Sequence, residues 1–255
     1  MGLEMFSLEG KVALVTGSSK GLGEAMARAL AEAGASVVIN SRKQSDADHV
    51  ADQIGKATKR RTIAVAADVT KREDVERMIG TTLDRMGGLD ILINNAGMNI
   101  RKPMQEYAEE EFRQIVDTNL IGPFLCCRAA AAHFIKQRSG RVINLGSILS
   151  FVALGHRTAY TASKGAIVQF TRALALEWAP YNVTVNAICP GPFETPLNKP
   201  VLDNPDTRKF FLERVPLGRW AQPKELCGAV IFLASDASSF ITGSALMVDG
   251  GWTAQ

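Results

Sequence analysis

The stretch Val12-Ala13-Leu14-Val15-Thr16-Gly17-Ser18-Ser19-Lys20-Gly21-Leu22-Gly23 decides the fold. Its first half belongs to an apolar run, Lys11–Thr16, that reads as a strand buried on both faces. Its second half is a glycine turn, Gly17-x-x-x-Gly21-x-Gly23, that opens a helix expected over Gly21–Ala33 and closed by Gly34. Glycine allows the tight bend and lets the backbone approach a pyrophosphate, while the helix presents its first N–H groups to that anion. Such a turn is a weak signal alone; a buried strand before it and a helix after it give it weight.

The same alternation continues outward. Strands are expected at Ser36–Asn40, 61–66 (ending at Asp68), Ile91–Ile93, Arg141–Leu145, Val183–Ile188 and Ala245–Val248. Helices are expected at 45–57, 71–86 (stopped by Gly87-Gly88), 109–137 with Pro123 a candidate kink, 158–179 and 223–234. Pro190–Pro205 is proline-rich and reads as a loop or lid. Strand–helix repetition predicts an α/β fold: three layers, a doubly wound and mainly parallel sheet. No linker or repeat divides residues 1–255, so one domain is expected, with a substrate loop at about 190–210.

Bulk properties exclude several classes. A net charge of +3 is too small to argue for a nucleic-acid partner, and the basic run Lys56 to Arg61 reads as a solvated helix end. Cys126, Cys127, Cys189 and Cys227 lack metal-ligand spacing and read as small buried thiols, as in a reducing compartment. The N-terminus has no apolar signal core, and no run approaches ~18 uninterrupted apolar residues. A cytoplasmic protein with neither metal nor membrane partner is the expectation.

In an open sheet of this kind, ligands sit outside the carboxyl ends of the strands. The glycine turn (Gly17, Ser19, Lys20, Gly21, Leu22, Gly23), Asn94-Asn95-Ala96-Gly97, Ser147 and Pro190-Gly191 each follow a strand and share that edge. An acidic residue at the end of the second strand would bind an adenosine ribose and repel a 2′-phosphate. Here the residues are Asn40-Ser41-Arg42. Arg42 can pair with a phosphate through a forked geometry, and Lys20 can reach the same place. These features favour NADP(H) over NAD(H), with Asp68-Val69 available to line the adenine.

Tyr160 and Lys164 stand four residues apart, on one face of a helix. A free tyrosine titrates near ~10, and a nearby ammonium favours the phenolate, which suits a general acid for ketone reduction and a base for alcohol oxidation. Ser147 can donate to the substrate oxygen, and Asn119 can hold a water that links Lys164 to solvent. Arg101, just past the Asn94–Gly97 loop, is a candidate for a substrate carboxylate, as is Arg157, three residues before Tyr160. Phe151, Val152 and Leu154 give the rim an apolar wall.

These motifs, with the ending Val248-Asp249-Gly250-Gly251, closely resemble the short-chain dehydrogenase/reductase family over about Leu8 to Trp252. The resemblance implies a seven-stranded Rossmann-type sheet. It implies a catalytic set of Asn119, Ser147, Tyr160 and Lys164, with Lys164 also holding the nicotinamide ribose. Pro190, Gly191, Phe193 and Thr195 would contact the nicotinamide end, and four copies would assemble through two long helices and the last strand. Within the family the chain is most similar to gluconate 5-dehydrogenases, on Arg101-Lys102-Pro103-Met104, Leu202-Asp203-Asn204-Pro205 and Gly218-Arg219-Trp220. It is also similar to 3-oxoacyl-[acyl-carrier-protein] reductases, so a sugar acid and an acyl-carrier ketone both stand as substrates. A non-catalytic dinucleotide sensor is the alternative of another class; the retained tyrosine and lysine argue against it.

Overall fold

Seven parallel strands form one sheet in the order β3-β2-β1-β4-β5-β6-β7. They are β1 (Val12–Val15), β2 (Ser36–Ser41), β3 (Thr62–Ala66), β4 (Ile91–Asn94), β5 (Gly140–Leu145), β6 (Val183–Pro190) and β7 (Ala245–Val248). The structure is a computed structural model and describes residues 2–255. The order reverses direction between β1 and β4, which opens a crevice at their carboxyl ends. β1, β4 and β6 are buried at every position, the reason their sequences are mostly apolar, with Asn94, Thr184 and Asn186 as buried polar exceptions. Edge strand β3 alternates instead, with Ile63 and Val65 buried.

The helices are α1 (Gly21–Glu32), α2 (Gln44–Thr58), α3 (Arg72–Met86), α4 (Glu109–Val116), α5 (Gly122–Gln137), α6 (Thr158–Trp178), α7 (Lys199–Leu202), α8 (Pro205–Leu212) and α9 (Cys227–Ala234). One apolar core packs Met26, Leu30 and Leu233 against Val15, Ile39, Ile93 and Ile143. The other packs Met78, Phe134 and Trp178 against Leu14, Leu92 and Val142 on the opposite face. Each buried side chain of this size contributes about 1.5–3 kcal/mol. The basic run does end a helix: Lys59 caps α2 in the left-handed region at φ 59°, and Arg60 pairs with Glu9.

Two expectations need correction. The helix expected over 109–137 is interrupted by a π turn, Asp117–Ile121, which lies just before Pro123 instead of at it. Proline has no N–H, so the α-helical bond from residue 123 to the Asn119 carbonyl is missing, and the wider turn accommodates the loss. The Gly122 N–H instead reaches Asp117 O. The run Glu109–Gln137 is long and apolar enough, by length and composition, to cross a membrane. Its inner side nevertheless packs in the second core through Cys126, Cys127, Ala130 and Phe134. The segment expected as an irregular loop is one only over residues 191–195; a 3-10 turn at Pro196–Asn198, then α7 and α8, follow. Pro196, Pro200 and Pro205 occupy first-turn positions, where a missing N–H costs nothing.

Candidate active site

The glycine turn is shaped by contacts that only glycine permits. Gly17 lies at φ +59°, and a Cβ there would sit 2.9 Å from Ala96 Cα; at Gly23 a Cβ would sit 2.4 Å from Asn95 Nδ2. Asn95 Nδ2 donates to the carbonyls of Thr16 and Gly17 at 2.8 and 2.9 Å, tying the loop after β4 to the turn. The α1 N-cap, Lys20, makes no side-chain cap bond, so the first N–H groups of the helix stay open to an anion. Ser19 Oγ donates to Ser41 Oγ at 3.2 Å, with Lys20 and Arg42 exposed beside them. Gly21 faces the loop after β6, where a Cβ would meet Pro196 Cδ at 3.5 Å and Thr195 Cβ at 3.8 Å.

Three residues expected at the cofactor are placed differently. Asn40 is 1% exposed, and its amide is spent on protein: it accepts from Gly17 N–H and donates to Val65 O and Ala67 O. It braces the glycine turn from beneath, and Ser41 and Arg42 are left as the polar residues facing outward. Phe193 is 1% exposed and packs in the first core, leaving only its backbone for a ligand. Val69 is buried against Gly122. Asp68 accepts from both the N–H and the hydroxyl of Thr70 and is half-buried at the end of β3.

The catalytic candidates converge. Ser147 caps the 3-10 turn Ile148–Ser150, its hydroxyl accepting from Leu149 N–H at 3.1 Å. It also lies against the Tyr160 phenol, where its hydrogen bond favours the phenolate. Lys164 is 4% exposed; its Nζ donates to Leu145 O at 2.5 Å and lies 5.7 Å from the Tyr160 ring centroid. Asn119 is locked in place: it accepts from Met98 N–H and donates both amide protons, to Met98 O and to Ser163 Oγ. Its side chain therefore has no proton left for a water. Its backbone carbonyl, which Pro123 leaves without an α-helical donor, could accept from one instead.

The electrostatics also differ from expectation. Burial pushes the Tyr160 pKa up; the opposing groups are the Ser147 hydroxyl, Arg101 and Arg157. Lys164 is not among them: burial brings its own pKa below that of the phenol, so it has lost its charge by the time the phenol ionises. Burial lowers Lys164 itself to about 8. The resting phenol is thus a protonated acid with two guanidiniums in its surroundings. Cys189, expected only as a small buried thiol, is fully buried and lies in electrostatic reach of Lys164 and Tyr160, with its own pKa pushed up by burial.

Arg101 and Arg157 are both half-buried, and burial lowers the pKa of each. The aromatic hydroxyls of Tyr107 and Tyr160 are the groups that oppose this; no carboxylate among the described residues does. Arg101 Nη2 donates to Leu197 O and Asn198 Oδ1 of the 3-10 turn, at 3.2 and 3.0 Å. Arg157 lies over the Phe211 ring of α8 at 5.8 Å. Behind that contact, Phe211 stacks with Trp220 and Trp252, a cluster no local sequence pattern announced.

Comparison with known proteins bears on this arrangement. A family model described as Enoyl-(Acyl carrier protein) reductase matches residues 17–253. The chain belongs to the short-chain dehydrogenase/reductase family. Among its relatives in that family is the 2-dehydro-3-deoxy-D-gluconate 5-dehydrogenase of Escherichia coli, 38% identical over 100% of both chains. The 3-oxoacyl-[acyl-carrier-protein] reductase of Vibrio cholerae is 40% identical over 96% of this chain and 98% of its own. A gluconate 5-dehydrogenase from Burkholderia cenocepacia, solved in complex with NADP and tartrate, is 39% identical, with a TM-score of 0.96 over 99% of each chain.

The family's dinucleotide fits the residues present. The crowded glycines form a cradle that a Cβ would fill, the α1 N-terminus is open, and the candidate pair Tyr160 and Lys164 lies near Gly97, on the loop tied to that turn.

Proposed function

We propose that this enzyme interconverts a ketone and a secondary alcohol on a sugar acid, using NADP(H) in preference to NAD(H). The observation that carries the substrate class is the pair Arg101 and Arg157: two desolvated guanidiniums beside the catalytic phenol, with no carboxylate among the described residues to neutralise them. Burying such charges is costly unless an anion pairs with them, and a substrate carboxylate is that anion. The gluconate dehydrogenase from Burkholderia cenocepacia, solved with the acid tartrate, supports the same reading.

The mechanism follows from the residues. The glycine turn Gly17, Ser19, Gly21, Leu22 and Gly23, with the α1 N-terminus, would hold the pyrophosphate. Ser41, Arg42, Ser19 and Lys20 would hold the 2′-phosphate, Asp68 and the backbone of Val69 would flank the adenine, and Asn95, Ala96, Gly97, Pro190, Gly191 and Thr195 would line the nicotinamide half. The bound nicotinamide supplies the hydride. Ser147 orients the substrate oxygen toward Tyr160. In reduction, Tyr160 gives its proton to that oxygen; in oxidation it takes the proton back. A raised phenol pKa keeps the acid form populated at neutral pH. Lys164, fixed by Leu145 O, recharges the phenol, and the Asn119 carbonyl left open by Pro123 connects it to solvent.

The protein is proposed to act in the cytoplasm as a homotetramer. Support comes from apolar side chains left exposed on the two long helices and before β7: Phe124 (41%), Leu176 (78%) and Phe240 (103%).

Steady-state reduction of 5-ketogluconate and of an acetoacetyl thioester with NADPH tests the reading. The sugar acid is expected to be preferred, and Arg101→Ala is expected to raise its KM by ~10–100-fold while leaving the thioester unchanged, as loss of a charged hydrogen bond implies. Preference for the thioester, with no effect of Arg101→Ala, would assign the enzyme to acyl-carrier ketones instead.

A further inference from the structure

We propose that Asn99 reads a substrate hydroxyl next to the carboxylate taken by Arg101, so that the substrate is a polyhydroxylated acid and not merely an anionic ketone; this rests on the reading above. The segment Met98–Arg101 is pinned at alternate residues. Met98 gives both its N–H and its carbonyl to Asn119, and the Ile100 carbonyl accepts from Tyr107. Between and beyond these anchors, Asn99 Oδ1 and Arg101 Nε are buried side-chain atoms with no hydrogen-bond partner. Buried polar atoms are ordinarily satisfied, so two on one short loop call for an explanation.

Their position supplies it. A Cβ on Gly97, two residues before Asn99, would lie 3.9 Å from Lys164 Nζ and 3.3 Å from Asn119 Oδ1. Two residues after Asn99, Arg101 acts on the charge of Tyr160. Asn99 is thus bracketed in the chain by groups that touch the catalytic set. Asn99 and Arg101 stand two residues apart on this loop, both partly buried. Arg101 has already committed Nη2 to Leu197 and Asn198, which leaves Nη1 and the unpartnered Nε as donors for a carboxylate. A carboxamide needs a partner in either orientation, and a hydroxyl both donates and accepts, so it satisfies Asn99 whichever way the amide lies. An alkyl chain could satisfy neither atom.

The test compares 5-ketogluconate with 5-oxohexanoate, a keto acid of the same length without hydroxyls, using NADPH. Asn99→Ala is expected to lower kcat/KM for 5-ketogluconate by ~10–100-fold and for 5-oxohexanoate by less than about 3-fold, because only the former loses a partner. Asn99→Ser, which restores a hydroxyl, is expected to recover part of the loss. The thermal midpoint should stay within about 2 °C, since Asn99 Oδ1 gives up no protein bond. Equal losses on both ketones, no loss on either, or a marked drop in the midpoint would overturn the proposal and make Asn99 a structural residue. Failure of the underlying reading has another signature: the wild-type enzyme would itself prefer the acetoacetyl thioester, and the hydroxyl proposal would fall with it.

Discussion

Replacing Lys164 should make the protein more stable at neutral pH. Lys164 is 4% exposed, and burial brings its pKa from 10.5 to about 8. Holding it charged in the folded state therefore costs about 3 kcal/mol relative to the unfolded chain. Lys164→Met keeps the length and apolar stem but loses the bond to Leu145 O, which takes back about 1 kcal/mol. A net gain of about 2 kcal/mol is expected below pH 8, together with loss of turnover. The sign reverses with pH. Between 8 and 10.5 the unfolded chain binds the proton and the folded one does not, so wild-type stability rises with pH through that window. The advantage of the variant should shrink across it, and above 10.5 the variant should be about 1 kcal/mol the weaker. Urea unfolding followed by fluorescence of the three tryptophans, at one protein concentration and without nucleotide, gives both midpoints. A variant less stable than wild type at pH 7.5, or a difference that does not move with pH, would refute the argument that desolvation dominates this site.

Three further outcomes are expected. Tyr160→Phe should leave NADPH binding intact by fluorescence titration and cut kcat by ~10²–10⁴-fold; unchanged turnover would remove the phenol from proton transfer. Arg42→Asp should move the ratio of kcat/KM values toward NAD(H), since the introduced carboxylate faces the 2′ position; an unaltered ratio would place the phosphate elsewhere. Asn40→Ala strands Gly17 N–H and the carbonyls of Val65 and Ala67, so it should cost about 3 kcal/mol and lower Tm by ~6–12 °C, with weaker NADPH binding as the turn loosens. A neutral Tm would mean that the brace is dispensable.

Much of this was legible because a parallel sheet encodes itself simply. Buried strands such as Leu14-Val15 and Ile91–Ile93 read as unbroken apolar runs, and the rule that ligands sit at strand ends gathered the glycine turn, Ser147 and Pro190 on one edge. What escaped the sequence depends on packing. Asn40 looks like a surface polar residue at a strand end; only the fold turns it beneath the glycine turn. The shift of the Tyr160 pKa follows burial, which no spacing reveals, and its cations come from Arg101 and Arg157 instead of the lysine one turn away. The prolines after β6 suggested irregular chain because a breaker and a helix-starter are the same residue in different positions.

The ligations between crossovers have a kinetic corollary. Asn95 reaches back 79 residues to Thr16, Asn119 reaches forward 44 to Ser163, and Arg101 reaches forward 97 to Asn198. Every wall of the crevice therefore comes from a different βα unit, and no fragment of the polypeptide can own a working centre. During refolding, enzymatic activity should appear only with the last cooperative phase, and a burst of turnover before it would show that the walls mature separately.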